Sequence, residues 1–486
     1  DDKTLYKWDE HKKLLSSYNA SPVSMGVIRC MLDYSKEELL LGTENGAYLF
    51  NYKTGSFSRA DDPSLRTGAL SDLSINNMLK DAEGGIWVLT NLGGINYASK
   101  QTKHFESYYS ADSSKESSGI VVGPFCEDQS GNIWIGTRDG LYLLNAKTHQ
   151  LAKHSISNLI HGKCDIRTLF LDGNQLWIGT YGDGVKVYNI NTGAVKEYHY
   201  SRDVLNTICS NDVLSIYKTH SGNTYIGTSW GLCQYNPKED NFSVVIAIGT
   251  MISVIDITED HQGNLWVATS NSGVFRYQPK SGNWKHFEHK RKDSSTITDN
   301  YVITMFEDSK GTMWFGTNGG GLCSFNSSKE VFTDFDPDNA ILPSKVIYSI
   351  EEDKKGNFWI SSNMGLIKIN PYKKEFLRRF TTGDGLQGNQ FNAHSSLKTA
   401  RGKFYFGGVN GFNAFTPEAL MDNKYIPPIY ITDIQLTYTN DERLVQKILD
   451  LKHPLYASQE ITLPYEYNSF VISFATLSYE DPSKNR

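Results

Sequence analysis

The chain has 486 residues, of which 21% are charged and 12% are aromatic, and its formal net charge is −6. This length is more than one ordinary hydrophobic core fills, so two or three domains are expected. The small acidic excess provides no basic surface that would favour nucleic acid or an anionic membrane, and we expect these residues to contact neither.

One sequence unit recurs along most of the chain, and its clearest copy runs from Glu127 to Tyr142 around Trp134. Nine copies are recognised by the position two residues after the central aromatic or apolar residue: 42, 89, 136, 179, 227, 268, 316, 361 and 407. The spacing runs from 41 residues (227 to 268) to 48 residues (179 to 227). A period of about 40–50 residues made of strands is typical of β-propeller blades. The sequence therefore predicts an all-β fold.

The N-terminal residues predict part of a propeller. Leu5–Asp9 resembles the third strand of a unit, and two units follow around Leu40 and Trp87. We interpret residues 1–102 as the last blades of an incomplete N-terminal propeller.

The unit around Trp314 shows how one blade is predicted to form. Four strands are expected, at residues 301–306, 313–317, 322–325 and 329–335. Asp308 and Gly311 suit the tight turn between the first two strands. Gly316 leaves space where the blade narrows, and Trp314 supplies a large buried plate.

The final unit, around Tyr405, predicts how the ring closes, because it reaches Pro417 without an outer strand. Counting back seven units leads to Trp134, and the segment just before that unit has outer-strand character around Phe105. We predict that this segment completes the blade of Tyr405. Residues 103–417 would then form a seven-bladed β-propeller.

The repeat stops beyond Pro417. Residues 426–436, 460–465 and 469–474 alternate between apolar and polar positions, as strands do, and 440–451 has a helical pattern. Residues 425–486 therefore predict the start of a C-terminal, Ig-like β-sandwich that is truncated at Arg486.

Carboxylate pairs such as Glu127-Asp128 and Glu307-Asp308 resemble general acid–base couples. They recur at one position of the unit, where Asp serves a turn, so we expect a structural role. No catalytic residue is predicted.

The histidines and cysteines predict no metal site and no cofactor. His286 and His289 are three residues apart but lack a third ligand in register. The six cysteines contain no C-x-x-C pair, and we interpret them as buried free thiols rather than disulfides.

The repeat resembles the two-component regulator propeller repeat. The closing unit, from Asp384 to Pro417, is similar to the last blade of that family. Pro427-Pro428, Leu463–Tyr465 and Phe470–Tyr479 resemble the three-tyrosine (Y_Y_Y) sandwich that follows it. The order of repeats and sandwich covers essentially the whole chain.

This resemblance implies the periplasmic sensor region of a hybrid two-component histidine kinase and response regulator, an inner-membrane protein. Such a region would bind an oligosaccharide and regulate polysaccharide-utilisation genes. The resemblance further implies a homodimer through the sandwich, and membrane contact only through a C-terminal part beyond this chain. The kinase domains would also lie outside these residues, so the chain itself is not expected to be an enzyme.

Arg138, Tyr181, Asp183 and Trp230 break the small-residue pattern of the loops expected on one face of the ring, where repetition demands Gly and Asn. The candidate ligand contacts include these four residues and six more. They are Arg138, Asp139, Arg167, Tyr181, Asp183, Trp230, Asn318, Asn363, His394 and Asn410. Trp230 could stack on a sugar ring, or it could cover a neighbouring blade or meet another domain. Arg138 and Arg167 could hold a uronate or sulfate by bidentate bonds, or be solvated surface residues. His394 is expected to pack in the core or at the rim.

Two other function classes remain open. One is a propeller glycoside hydrolase or polysaccharide lyase, which would need a non-repeating acid pair or a Tyr/His/Arg group in one pocket. The other is a protein-interaction scaffold, for which the loops would provide the contact surface.

Overall fold

The computed structural model describes residues 4–10, 12–19, 25–61, 70–98, 105–108, 120–160, 165–245, 251–420, 428–436, 455 and 469–476. Two compact units are present: residues 103–420, and residues 1–102 together with 421–486. The described elements are β-strands and three short 3-10 helices, Ser155–Leu159, Thr382–Asp384 and Pro417–Ala419. No helix in these ranges has the length and apolar character of a membrane span. The predicted all-β class is confirmed.

The described strands of residues 1–102 form antiparallel sheets of two, four and three strands. They are β1 (Thr4–Asp9) with β2 (Leu14–Asn19); β3 (Ile28–Asp33), β4 (Glu38–Thr43), β5 (Gly46–Asn51) and β6 (Phe57–Arg59); and β7 (Ile75–Lys80), β8 (Ile86–Thr90) and β9 (Ile95–Ala98).

The described part of residues 103–420 contains seven four-stranded antiparallel sheets, which we number sheet 1 to sheet 7. The first strand of this unit in the chain is β10 (Glu106–Tyr108). Sheets 1 to 3 are β11 (Val122–Glu127), β12 (Ile133–Thr137), β13 (Gly140–Leu144), β14 (Leu151–Lys153); β15 (Ile166–Asp172), β16 (Gln175–Thr180), β17 (Val185–Asn189), β18 (Val195–Tyr198); and β19 (Val213–Lys218), β20 (Thr224–Thr228), β21 (Gly231–Asn236), β22 (Asn241–Val244).

Sheets 4 to 6 repeat this order. They are β23 (Val254–Glu259), β24 (Leu265–Thr269), β25 (Val274–Gln278), β26 (Asn283–Phe287); β27 (Val302–Glu307), β28 (Met313–Thr317), β29 (Leu322–Asn326), β30 (Val331–Asp334); and β31 (Ile347–Glu352), β32 (Phe358–Ser362), β33 (Gly365–Asn370), β34 (Glu375–Phe380). Sheet 7 has β35 (Phe391–Lys398), β36 (Phe404–Gly408) and β37 (Gly411–Phe415), and its outer strand is β10.

The strand exchange predicted from the sequence is confirmed. β10 pairs with β37, with Glu106 opposite Ala414 and Tyr108 opposite Phe412. Phe105 is 2% exposed, and its ring centroid lies 4.9 Å from that of Phe415. Sheet 7 then packs on sheet 1, because Val122 and Phe125 share one apolar cluster with Tyr405 and Phe412. The sheets therefore form a closed ring.

The repeated aspartate holds the turn between the first and second strands. Asp308 Oδ1 accepts the backbone N–H groups of Lys310 and Thr312, both at 2.9 Å, and Oδ2 accepts Trp314 Nε1 at 2.7 Å. Equivalent bonds to the tryptophan six residues later are made by Asp81, Asp128, Asp260 and Asp353. This bond explains why the Asp and the Trp recur together.

A glutamate precedes Asp128, Asp260, Asp308 and Asp353, and it binds the turn of the preceding sheet. Glu352 accepts the Ser309 N–H at 2.7 Å, and Glu307 accepts the His261 N–H at 2.9 Å. Glu127 of sheet 1 accepts the Ala400 N–H of sheet 7 at 2.9 Å, which extends the pattern across the closure. The carboxylate pairs thus hold the ring together.

Small residues follow the central aromatic because the next sheet approaches closely there. A Cβ atom on Gly316 would lie 2.6 Å from Ile347 Cγ2, and one on Gly407 would lie 2.6 Å from Val122 Cγ1. Even a methyl group at either position would have to displace the neighbouring sheet.

The cysteine prediction is wrong for one pair, because Cys209 and Cys233 form a disulfide with their Cα atoms 6.4 Å apart. Cys209 lies on the segment that leads into β19, and this segment crosses β21, where Cys233 is buried. Cys30, Cys126 and Cys323 are free, and Cys164 lies outside the described residues. Burial raises the pKa of the Cys126 and Cys323 thiols to about 11, which makes them poor nucleophiles.

Two C-terminal strands are described, β38 (Ile429–Leu436) and β39 (Phe470–Thr476), and they pair antiparallel. They coincide with two of the segments predicted for a sandwich. The strand predicted at 460–465 and the helix predicted at 440–451 lie outside the described residues.

Candidate ligand-binding face

Two families of loops meet at one end of the sheets in residues 103–420. In sheets 1 to 5, the residue after the second strand donates its N–H to a backbone carbonyl of the segment leading into the first strand of the same sheet. These bonds are Arg138 to Val121 (3.1 Å), Tyr181 to Asp165 (2.9 Å), Ser229 to Asp212 (3.0 Å), Ser270 to Ser253 (3.1 Å) and Asn318 to Tyr301 (3.0 Å). We call this end the loop face; the Asp-containing turns lie at the opposite ends of the strands.

A β-bulge near the start of each first strand brings side chains to this face. The register with the second strand shifts after Ile166 in sheet 2, as it does after the equivalent residue of every other sheet of this unit. Bulges re-aim a side chain relative to a regular strand. Arg167 occupies the bulge of sheet 2, where sheets 3 and 4 have Leu214 and Ile255.

The bulge of sheet 7 is longer than the others, since its register jumps from Phe391 to Ser396. His394 is half-buried and lies in this bulge with a φ of 54°, and its buried Nε2 has no hydrogen-bond partner among the described residues. Burial raises the pKa of the Asp256 carboxyl on β23, and the charge of His394 opposes part of that rise.

Sheets 1, 2 and 7 enclose a cleft on the loop face, which we call the arginine cleft. Its polar lining is Arg138, Asp165, Arg167 and Asn392, and Val121, Val122, Gly123, Ile166 and Ala393 complete it. Arg167 Nη2 donates to Asp165 Oδ2 at 2.8 Å, and its guanidinium carbon lies 5.3 Å from the centroid of the Tyr181 ring. Arg167 is thus held on two sides.

Two aromatic side chains, Tyr200 and Trp230, form a second feature of the loop face, which we call the aromatic ledge. Their ring centroids are 6.0 Å apart with an interplanar angle of 73°, and Trp230 is 51% exposed. Asn211 links this ledge to the Tyr181 loop, because its Oδ1 accepts the Tyr200 N–H at 2.7 Å and its carbonyl accepts the Gly182 N–H at 3.1 Å.

Asp183 does not present the exposed carboxylate that the sequence suggested. It is 7% exposed, and its Oδ2 lies 3.1 Å from the fully buried Lys186 Nζ, which is also 3.0 Å from Glu197 Oε1. The loop from Thr180 to Gly184 is one residue longer than the loop after Thr137. Asp183 donates its N–H to Thr180 Oγ1 at 3.2 Å, and its carboxylate turns inward to Lys186.

The other predicted residues lie apart from the cleft and the ledge. Asp139 is exposed and pairs with Lys153 at 2.8 Å. Asn363 Oδ1 accepts the Ser344 hydroxyl at 2.7 Å, and the exposed Asn410 donates its N–H to Gln387 Oε1 at 3.3 Å. Asn318 is exposed and is held through its backbone.

Sequence reasoning missed Asp165, Asn392 and Tyr200. Asp165 and Asn392 flank the first residues of their first strands, and Tyr200 lies in a long segment leading into one. An alignment of the units on their first strands, rather than on the central aromatic, would have pointed to the first two.

The described residues contain no group of three His, Cys, Asp or Glu side chains that could hold a metal ion. His286 Nε2 lies 2.6 Å from the Ser272 carbonyl, and His289 Nδ1 lies 2.7 Å from the Ile297 carbonyl. The two imidazoles thus bind separate backbone groups.

A profile of the family described as two component regulator propeller matches residues 249–271, 296–319 and 341–364. These three segments contain the central tryptophans of sheets 4, 5 and 6. The chain is also 24% identical over 410 residues to Histidine kinase P4 of Formosa agariphila. The match covers 81% of this chain but spans only 29% of the length of that kinase.

Two solved structures from B. thetaiotaomicron share the fold. The extracellular domain assigned to the hybrid two component system BT3049 gives a TM-score of 0.66 at 22% identity, over 98% of this chain and 68% of that one. The extracellular domain assigned to the hybrid two component system BT4673 gives 0.54 at 19% identity, over 97% and 62%.

Proposed function

We propose that this chain, whose ring contains two-component regulator propeller repeats, is the ligand-sensing region of a hybrid two-component sensor. In this proposal it lies in the periplasm, binds an oligosaccharide on the loop face and thereby regulates polysaccharide-utilisation genes. The observation that carries the proposal is the aromatic ledge, with Trp230 half exposed at a loop tip.

An exposed aromatic plate beside polar loops suits a sugar ring. The face of an indole offers apolar area to the C–H groups of a sugar, while nearby polar atoms orient its hydroxyl groups. Tyr200 contacts Trp230 edge to face, which holds the indole without covering it. The bridge through Asn211 fixes the ledge relative to Tyr181 and the arginine cleft.

A location outside the cytoplasm is supported by the Cys209–Cys233 disulfide. Disulfides form and persist in oxidising compartments and are rare in the cytosol. The disulfide joins the segment that leads into β19 to the sheet that carries Trp230, so it would also stabilise the ledge.

A binding role, rather than catalysis, is supported by the repeated carboxylates. Asp308 accepts three hydrogen bonds within its own sheet and a fourth from Tyr372 Oη at 2.7 Å, while Glu352 accepts two from Ser309. Carboxylates occupied in this way are poor candidates for general acid or base. In an intact sensor, we further propose that the C-terminal strands belong to a sandwich through which two copies associate.

Titration calorimetry of the chain against a panel of neutral and acidic oligosaccharides tests the proposal. Saturable binding of one oligosaccharide class, weakened by Trp230→Ala, is the expected result. Absence of binding across the panel, with the protein folded, would contradict it.

A further inference from the structure

We propose that the arginine cleft is a subsite for an anionic group of the ligand, a carboxylate or sulfate carried by a sugar. This inference rests on the proposed function and specifies the chemical class of oligosaccharide. It follows from the convergence of Arg138 and Arg167, which belong to different sheets and line one cleft.

Arg167 is positioned before any ligand arrives. The bulge of β15 places Arg167 on the loop face. Asp165 accepts one of its N–H groups at 2.8 Å, and the Tyr181 ring lies against its guanidinium. Its Nε is buried and has no hydrogen-bond partner among the described residues. A guanidinium presents five donors in a planar fork, so donors beyond the one bound to Asp165 remain available for a planar or tetrahedral oxyanion.

The charge balance of the cleft favours an anion. Asp165 is paired with Arg167, while Arg138 is exposed and forms no ion pair within the described ranges. Two arginines and one aspartate leave one uncompensated positive charge. The wall of the cleft that sheet 7 provides consists of Asn392 and Ala393, so it adds no carboxylate. Asn392 Nδ2 donates to the Val122 carbonyl at 2.7 Å.

The floor of the cleft has space beside the guanidinium groups. Gly123 occupies the bulge of sheet 1, where sheet 2 has Arg167, and it brings no side chain into the cleft. A Cβ atom there would meet the Ile166 carbonyl at 3.1 Å, so a larger residue would crowd the wall between sheets 1 and 2. A small oxyanion attached to a sugar fits this position better than a second sugar ring.

The test compares acidic oligosaccharides with their neutral counterparts. The probes are trigalacturonic acid and its methyl ester, and a sulfated chondroitin disaccharide and its desulfated form, each titrated into the 486-residue chain and its variants. We expect one acidic probe to bind at least tenfold more tightly than its neutral counterpart. This difference should disappear in Arg138→Gln and Arg167→Gln and persist in Arg401→Gln, whose exposed arginine lies in a turn at the opposite end of sheet 7.

The outcomes separate this inference from the proposed function. Neutral oligosaccharides that bind as tightly as acidic ones, with no effect of either cleft substitution, would overturn the anionic subsite and leave oligosaccharide sensing intact. No binding by any oligosaccharide would overturn both. If Arg167→Gln does not fold, as judged by its thermal unfolding, Arg138→Gln decides the question, because the exposed Arg138 contributes little to packing.

Discussion

Replacement of Trp230 by alanine tests the aromatic ledge, and its effect on binding can be estimated from the structure. The residue is 51% exposed, so a stacked sugar would cover up to about half of an aromatic side chain of roughly 200 Å². At about 25 cal/mol per Å², covering about 100 Å² contributes about 2.5 kcal/mol. Costs of ordering the ligand reduce this to about 2 kcal/mol, or roughly 30-fold in Kd.

The same substitution should change stability much less than binding. The ring contact of Trp230 within the protein is the edge of Tyr200, and such a contact contributes about 1 kcal/mol. Loss of about 1 kcal/mol lowers the Tm of a large domain by only about 2–4 °C.

The assay is calorimetry with the oligosaccharide found to bind, together with thermal unfolding of each variant. Phe376→Ala is a matched control, because Phe376 is a 43% exposed aromatic on β34, the outer strand of sheet 6, away from the loop face. The control should bind normally. If Trp230→Ala also binds normally, or if it loses most of its stability, then Trp230 is a packing residue and the search should move to the inside of the ring.

Three further predictions concern the ring. Phe105→Ala should lower the free energy of unfolding of the ring, measured in urea, by about 3–5 kcal/mol. Deletion of residues 103–108 should lower it further. A decrease below about 1 kcal/mol for the substitution would contradict closure of the ring by β10. Asp308→Asn should lower the free energy of unfolding by about 1–3 kcal/mol, because it disturbs an oxygen that accepts Trp314 Nε1 and Tyr372 Oη. Neither the unmodified chain nor this variant should release reducing ends or unsaturated products from polysaccharides. The appearance of such products would show that the chain is an enzyme. Burial raises the pKa of Glu351 to about 7, against a partial lowering by the Ser396 hydroxyl. Since the folded pKa lies above the unfolded one, this residue should make stability fall as pH rises from about 4.5 to about 7, and Glu351→Gln should reduce that fall; an identical pH profile in both proteins would contradict the shift.

The repeat could be predicted because its determinants are local. The bond from Asp308 to Trp314 Nε1 spans six residues, and the constraint on Gly316 comes from the adjacent sheet, so both recur with the period of the chain. Closure could be predicted because a strand edge without a partner is unfavourable. The outer strand of sheet 7 therefore had to come from elsewhere, and Phe105 lies in the segment that provides it.

The candidate site was harder to predict, because its side chains depend on small departures from the repeat. One added residue in the Tyr181 loop turns Asp183 inward to Lys186. The arginine cleft depends on bulges in β11, β15 and β35, whose register cannot be read from apolar spacing. The Cys209–Cys233 disulfide requires the path of a loop over a strand, which the spacing of the two cysteines does not reveal.

Hydrogen exchange of the chain with and without a bound oligosaccharide tests most directly the claim that the loop face binds the ligand. We predict that added protection will be concentrated in the loops that carry Arg138, Arg167, Tyr181 and Trp230 and in the bulge at Asn392. The turns around Asp128, Asp260 and Asp308, at the opposite end of the sheets, should exchange as before. Protection confined to those turns, or to the C-terminal strands β38 and β39, would contradict the account.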